Sequence, residues 1–146
     1  MNIQQLHKNF QMPVRSTEHA AAFDLFMPEG GVIDNGDAKG KMFKLGFAAE
    51  VPPGYVAFLL PRSGSGAKHG VSLNNTVGVI DPDYRGEWAA CLRRRDIGQY
   101  SWEAGERLLQ MVLVPVHTPT LTLVDTLSDT ERGDGGFGST GTGDVK

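Results

Sequence analysis

The chain has 146 residues, 19 of them glycine and eight proline, and its 14 lysines and arginines face 17 acids for a formal charge of -3. That is the length of one domain, able to bury roughly two thirds of the surface its unfolded chain exposes, and the slightly negative balance argues against a broad nucleic-acid surface while leaving room for a small anionic ligand held by a few arginines. Glycine at about twice its usual share excludes long helices as the main element. No run approaches the apolar length of a membrane span, MNIQQLHKNF has no apolar stretch after a basic start, and a lone Cys91 excludes an internal disulfide framework. The expectation is a soluble, cytoplasmic protein with neither membrane nor nucleic-acid partners.

Taken in order, residues 2–10 read as a first strand. In EHAAAFDLFMPEGG the alternation of Phe23, Leu25 and Met27 before Pro28 predicts a short strand with Asp24 on its other face, in spite of the alanines. Residues 32–41 are a polar excursion. Residues 42–51, the Pro52, Pro53, Gly54 turn and residues 55–60 read as a hairpin. PRSGSGAKHGV follows at 61–71, where small residues between Arg62 and Lys68 suit a backbone nest for an anion, with a short helical turn; an ordinary glycine-rich loop is the plainer alternative. No GxxxxGK[ST] phosphate loop occurs, since Gly36 to Lys41 has the wrong spacing and Met42 where a hydroxyl is needed.

The stretch NTVGVIDPDYRGEWAACL, residues 75–92, sets two acids, a tyrosine and an arginine between apolar segments. Val77, Val79 and Ile80 favour a strand, DPDYRG reads as the bend of a hairpin, and Trp88, Ala90 and Leu92 alternate along a return strand. Asp81 would lie at the strand end and Asp83 at the tip. By itself such a turn is usually a solvated one. Arg93, Arg94 and Arg95 read as a solvated strand end, and residues 103–107 as a turn into the apolar strand LLQMVLVPV, whose Gln110 needs hydrogen-bond partners once buried. His69 and His117 lack metal-ligand spacing and read as structural; residues 121–124 are expected to close the sheet. From Ser128 the composition turns to SDTERGDGGFGSTGTGDVK, which cannot bury itself and should move freely when nothing is bound. Its literal GxGxxG at Gly136, Gly138 and Gly141 is spurious for dinucleotide binding, with no strand before it or helix after it. Yet a lone aromatic, an arginine and two adjacent hydroxyls suit stacking on a base and gripping a phosphate.

With these segments together the chain resembles the trimeric-type dUTP pyrophosphatases (dUTPases), a family marked by five motifs found here in order: AAFDL at 21–25, PRSGSGAKHG at 61–70, NNTVGVIDPDYRGE at 74–87, GERLLQ at 105–110 and RGDGGFGSTG at 132–141. The resemblance implies an all-β antiparallel jelly roll over residues 1–127, with residues 128–146 as an arm that closes over a neighbour's site in a homotrimer. It implies that Asp81 holds and polarises the water attacking the α-phosphorus of dUTP, releasing pyrophosphate and leaving dUMP. A carboxylate is a weak base at neutral pH, so alignment and charge neutralisation should supply most of the acceleration. Arg62, Ser63 and Gly64 would contact the phosphates and Gln110 the α-phosphate side. Strand backbone at Gly78, Val79 and Ile80 and the amide of Asn75 would bond the uracil edge, while Tyr84 packs on the deoxyribose and excludes a 2′-hydroxyl. From the arm, Phe137 with Gly138 would cover the uracil, and Arg132, Ser139 and Thr140 the terminal phosphate. Mg²⁺ would ride mainly on the phosphates, with Asp24 reaching it through water.

Four positions depart from the family pattern: Ala22 replaces a glycine, Ser65 a leucine, Leu109 an alanine, and Arg93 stands where an asparagine often ends the strand. None removes a group the chemistry needs. Two rivals share the fold or the pocket: dCTP deaminase, which needs a catalytic glutamate and lacks this complete arm, and a nucleotide-gated regulatory module acting on a protein partner.

Overall fold

The computed structural model describes residues 1–36 and 38–136. Its strands are β1 (Ile3–Gln5), β2 (Phe23–Phe26), β3 (Gly31–Asp34), β4 (Lys41–Lys44), β5 (Phe47–Ala49), β6 (Tyr55–Pro61), β7 (Val71–Leu73), β8 (Gly78–Ile80), β9 (Ala89–Arg94), β10 (Gln99–Trp102) and β11 (Arg107–Pro115), with one helical turn, Gly64–Lys68, after β6. Every strand pairing is antiparallel. Four ladders result, in the orders β2-β11-β6-β8, β4-β9-β7, β10-β3 and β1-β5.

The two expected hairpins do not form. Residues 52–55 do make the tight turn, Tyr55 donating its N–H to the Pro52 carbonyl at 3.1 Å, but β5 and β6 leave it into different ladders. β5 pairs with β1, while all seven residues of β6 find β11 some fifty positions later, from Leu109↔Pro61 to Pro115↔Tyr55. Gly46, with φ +76, lets the chain leave β4 and enter β5 in a different ladder. At DPDYRG, β8 stays beside β6 and β9 crosses to lie between β4 and β7. Trp88 drives that crossing. Its ring is wholly buried, and its backbone bonds Leu45 and Phe47 at 2.8 and 2.9 Å, which draws the return strand onto β4. The six-residue bend therefore joins two sheets.

Side chains from all ladders meet in one core, where Trp88 packs on Phe47 with ring centroids 5.0 Å apart and Trp102 meets Phe43 edge-on at 4.8 Å. Leu25, Leu59, Leu92, Leu109 and Met111 complete the centre at 0–1% exposure. Burying one leucine of this kind is worth about 2 kcal/mol, and truncating one to alanine costs about 2–5 kcal/mol because a cavity remains.

Three further expectations need correction. The first strand is only Ile3–Gln5, because Leu6 and His7 both turn their N–H groups to the carbonyl of Gly46. The polar excursion contains β3, paired with β10, a strand the sequence did not announce. Residues 121–124 belong to no strand: Leu121 is 91% and Leu123 99% exposed, so the alternation of leucine and threonine is a strand pattern that joins no sheet among the described residues. Among the described residues no helix is long and apolar enough to cross a membrane.

Candidate active site

Asp24 is the electrostatic centre of one end of the large sheet. It lies on β2 directly opposite Gln110 of β11, and only 6% of it is exposed. A carboxylate so placed needs compensation, and it has three partners. The Nε of Arg62 donates to Oδ1 at 2.9 Å, and Oδ2 accepts from Nη1 of Arg107 at 3.1 Å and from the Ser16 hydroxyl at 2.9 Å. Two guanidinium groups around one carboxylate leave a net positive charge at this end, suited to an anion. Nη1 of Arg62 also donates to the Arg107 carbonyl at 2.9 Å, so the guanidinium is held at two points. Gln110, half-buried, donates from Nε2 to the Pro61 carbonyl at 3.1 Å.

Ser63 and Gly64 stand exposed at the start of the helical turn. The adjoining cleft is lined by Arg62, Ser63, Gly66, Thr76, Arg93 and Arg95 among others, three arginines and no acid among its lining residues. The structure thus gathers Asp24, Arg62, Ser63, Gly64 and Gln110 at one end of β6.

The second group follows β8, which among the described residues pairs with β6 alone and so presents an unpaired edge of backbone donors and acceptors. Gly78 is buried against Leu59, and a Cβ there would come within 2.8 Å of the Leu59 Cβ, so only glycine lets the strands lie this close. Val79 is 55% exposed and Ile80 half-buried. Before the strand, the Asn75 amide donates to the Val77 carbonyl at 3.0 Å. Between them Thr76 has φ +70, a left-handed conformation that strains a β-branched residue by about 1–3 kcal/mol. Thr76→Gly should release that strain and raise stability by about 1 kcal/mol. Thermal unfolding checks the sign; lower stability would show the turn to be unstrained.

Asp81 follows β8 and is exposed; among the described residues nothing hydrogen-bonds its carboxylate. Tyr84, 44% exposed, folds back over the bend and donates to the Glu87 carbonyl at 3.1 Å. Gly86 lies beneath it, and any side chain there would collide with the tyrosine hydroxyl. Glu87 is itself tied by Lys44 at 2.8 Å, a hydrogen bond and charge pair that raise the lysine above its ordinary pKa.

One chain does not bring Asp81 to Arg62, although Thr76, at the start of the second group, lines the cleft beside Arg62 and Ser63. Ile80 sits opposite Ala57 and Leu109 opposite Pro61, so Asp81 and Arg62 lie just beyond opposite ends of the same stretch of β6. At a strand rise near 3.3 Å per residue they are about 20 Å apart, too far for one phosphoryl group to touch both. Arg132 is exposed, its Nε donating to the Gly135 carbonyl at 2.9 Å; Phe137, Gly138, Ser139 and Thr140 lie outside the described residues. Sequence reasoning missed Ser16 and Arg107, the holders of Asp24. Arg107 sits inside GERLLQ, but nothing in a linear motif says that its partner lies 83 positions earlier.

Comparison with known proteins gives this arrangement its class. The dUTPase family model matches residues 8–141. A deoxyuridine 5'-triphosphate nucleotidohydrolase of Nautilia profundicola is 40% identical over 141 residues, covering 97% of this chain and 98% of the relative. One of Hydrogenovibrio crunogenus is 42% identical, covering 94% and 91%. Among solved structures, the Staphylococcus bacteriophage 80alpha dUTPase with dUPNHPP superposes with a TM-score of 0.86 at 30% identity, covering 97% of this chain and 98% of that one. Fold and motifs together define a jelly-roll nucleotide hydrolase. The chain belongs to the dUTPase family, and it is a dUTP diphosphatase.

Proposed function

We propose that the enzyme cleaves dUTP by in-line attack of a water held by Asp81 on the α-phosphorus, releasing pyrophosphate and dUMP in the cytoplasm, and that each site is assembled from different copies of the chain in a homotrimer. The separation of Asp81 from Arg62 along β6 supports this most directly. Asp81 belongs beside the α-phosphorus, Arg62, Ser63 and Gly64 grip the phosphates and Gln110 reaches the α-phosphate side; a neighbour's copy of one group must supply what the first copy lacks. The exposed Leu121, Leu123 and Leu127 agree, since a monomer would leave these apolar side chains in water.

On this reading the open edge of β8 bonds the uracil through the backbone of Gly78, Val79 and Ile80, helped by the Asn75 amide. Cytosine presents a donor where uracil accepts, a mismatch that can cost about 10⁴-fold in a site built on hydrogen bonds. Tyr84, fixed over Gly86, closes on the deoxyribose. Residues 128–146 act as the arm, Phe137 and Gly138 over the base and Arg132, Ser139 and Thr140 on the terminal phosphate.

The cation would be Mg²⁺. A carboxylate can accept about four hydrogen bonds; Asp24 has three taken by Arg62, Arg107 and Ser16, which leaves room for one metal-bound water and none for a bare ion. Mg²⁺ held chiefly by the phosphates would neutralise their charge and orient the leaving pyrophosphate.

Two measurements test the proposal. Turnover in ¹⁸O-water with a nucleotide panel should place the label in dUMP, with dUTP far preferred and Mg²⁺ required; label in pyrophosphate would move the attack to another phosphorus, and ammonia from dCTP would indicate a deaminase. Asp81→Asn and Arg62→Ala chains, each inactive alone, should regain a fraction of wild-type activity when unfolded and refolded together, because some mixed sites are intact. No recovery would mean that one copy supplies both groups.

A second reading has one observation behind it: the phage 80alpha relatives are described as controlling transfer of virulence genes by a proto-oncogenic G protein-like mechanism. A nucleotide-gated regulatory role would show as a protein partner retained with dUTP and lost without it, or the reverse.

A further inference from the structure

Ser65 is one of two polar or charged residues buried among the described residues, the other being Asp24. The resemblance to the dUTPase motif implies leucine at this position of PRSGSG, so the hydroxyl is a departure from that pattern. The hydroxyl donates to the Leu108 carbonyl at 2.5 Å and lies 3.0 Å from the Arg62 carbonyl. Having one proton, it commits to the shorter contact.

Leu108 is the extra residue of a bulge in β11: against β2 the register steps from Arg107↔Phe26 to Leu109↔Leu25. Its carbonyl already accepts the Arg62 N–H at 2.9 Å, and Ser65 occupies the second lone pair. Bulges bend a strand and re-aim its side chains; here they aim Arg107 toward Asp24 on one side of Leu108 and Gln110 toward Pro61 on the other. The Gly64–Lys68 turn is only five residues long, too short to hold its own place; its backbone bond from Gly66 to Arg62 at 2.8 Å ties it to itself, and Arg95 beyond β9 holds the Gly66 carbonyl at 2.9 Å from the other side, leaving Ser65 as its side-chain tie to β11.

We propose that Ser65 is a positioning residue, its buried hydroxyl pinning the Ser63–Gly64 turn to the β11 bulge so that the phosphate-gripping groups keep a fixed spacing from Gln110. This rests on the reading that Arg62, Ser63 and Gly64 hold the phosphates. Ser65 touches no substrate; it acts through the turn that does.

The test titrates α,β-imido-dUTP and dUMP into the full chain carrying Ser65→Ala, Ser65→Thr or Arg62→Ala. Ser65→Ala should raise Kd for the triphosphate analogue about tenfold and change Kd for dUMP much less, because the turn serves the whole phosphate chain. Ser65→Thr, which keeps the hydroxyl, should restore most of the difference. A merely structural role would lower the melting temperature and weaken both ligands alike, and that result, or no change in either ligand, overturns the proposal. Arg62→Ala separates the two levels. If it weakens the triphosphate while Ser65→Ala does not, only the clamp is wrong; if Arg62→Ala has no effect, the phosphate reading fails and the clamp falls with it.

Discussion

Asp81→Asn is expected to lower kcat by about 10³-fold while leaving affinity for a non-hydrolysable dUTP analogue unchanged or slightly tighter. The side chain owes its place to backbone: β8 is fixed on β6 through Gly78 and Leu59, and Asp81 follows it without a hydrogen bond from any described residue to its carboxylate. Asparagine has the same shape and would occupy the same position, so neither fold nor nucleotide pocket should change. The amide, however, carries no negative charge with which to polarise a water. Steady-state kinetics with an independent titration decide the matter. A large rise in KM at nearly constant kcat would make Asp81 a binding residue and remove it from the chemical step.

Deleting residues 132–146 should reduce kcat/KM by about 10²-fold or more and leave the melting temperature almost where it was. Residues 115–134 are exposed throughout. The contacts of Arg132 and Gly133 reach only Gly135 and Thr130, so the described part of the segment contributes nothing to the core. The proposed losses are one base-stacking aromatic, worth about 1–3 kcal/mol, and the charged bonds of Arg132 to the terminal phosphate. Near-normal turnover by the truncated chain would eliminate the arm from the mechanism; a large fall in melting temperature would show that the segment supports the fold as well.

What the sequence disclosed depended on how local the cause was. The strand around Asp24 was legible from Phe23, Leu25 and Met27, and β11 from its apolar run, because burial periodicity is written within each segment. Partner choice was not. Reading neighbours in sequence as neighbours in space produces two hairpins, whereas β5 and β6 leave the turn at Pro52 for β1 and β11, and the burial of Trp88 redirects the second. Residues 121–124 show the same limit from the other side: the alternation is present, but nothing among the described residues pairs with it. At the site, motif spacing selected Arg62, Gln110 and Asp24. It could not show that Ser16 and Arg107 converge on that carboxylate, or that Thr76 is held in a left-handed turn, since both depend on contacts and dihedrals outside the motif.

The length of β6 has a further consequence for how the enzyme responds to its own abundance. If no isolated copy possesses a whole catalytic centre, dilution should extinguish turnover before it unfolds anything, and specific activity should climb with protein concentration until association is complete. Cells holding little of this enzyme would then lose uracil-nucleotide clearance more steeply than in proportion, so that a modest drop in expression acts almost as a switch.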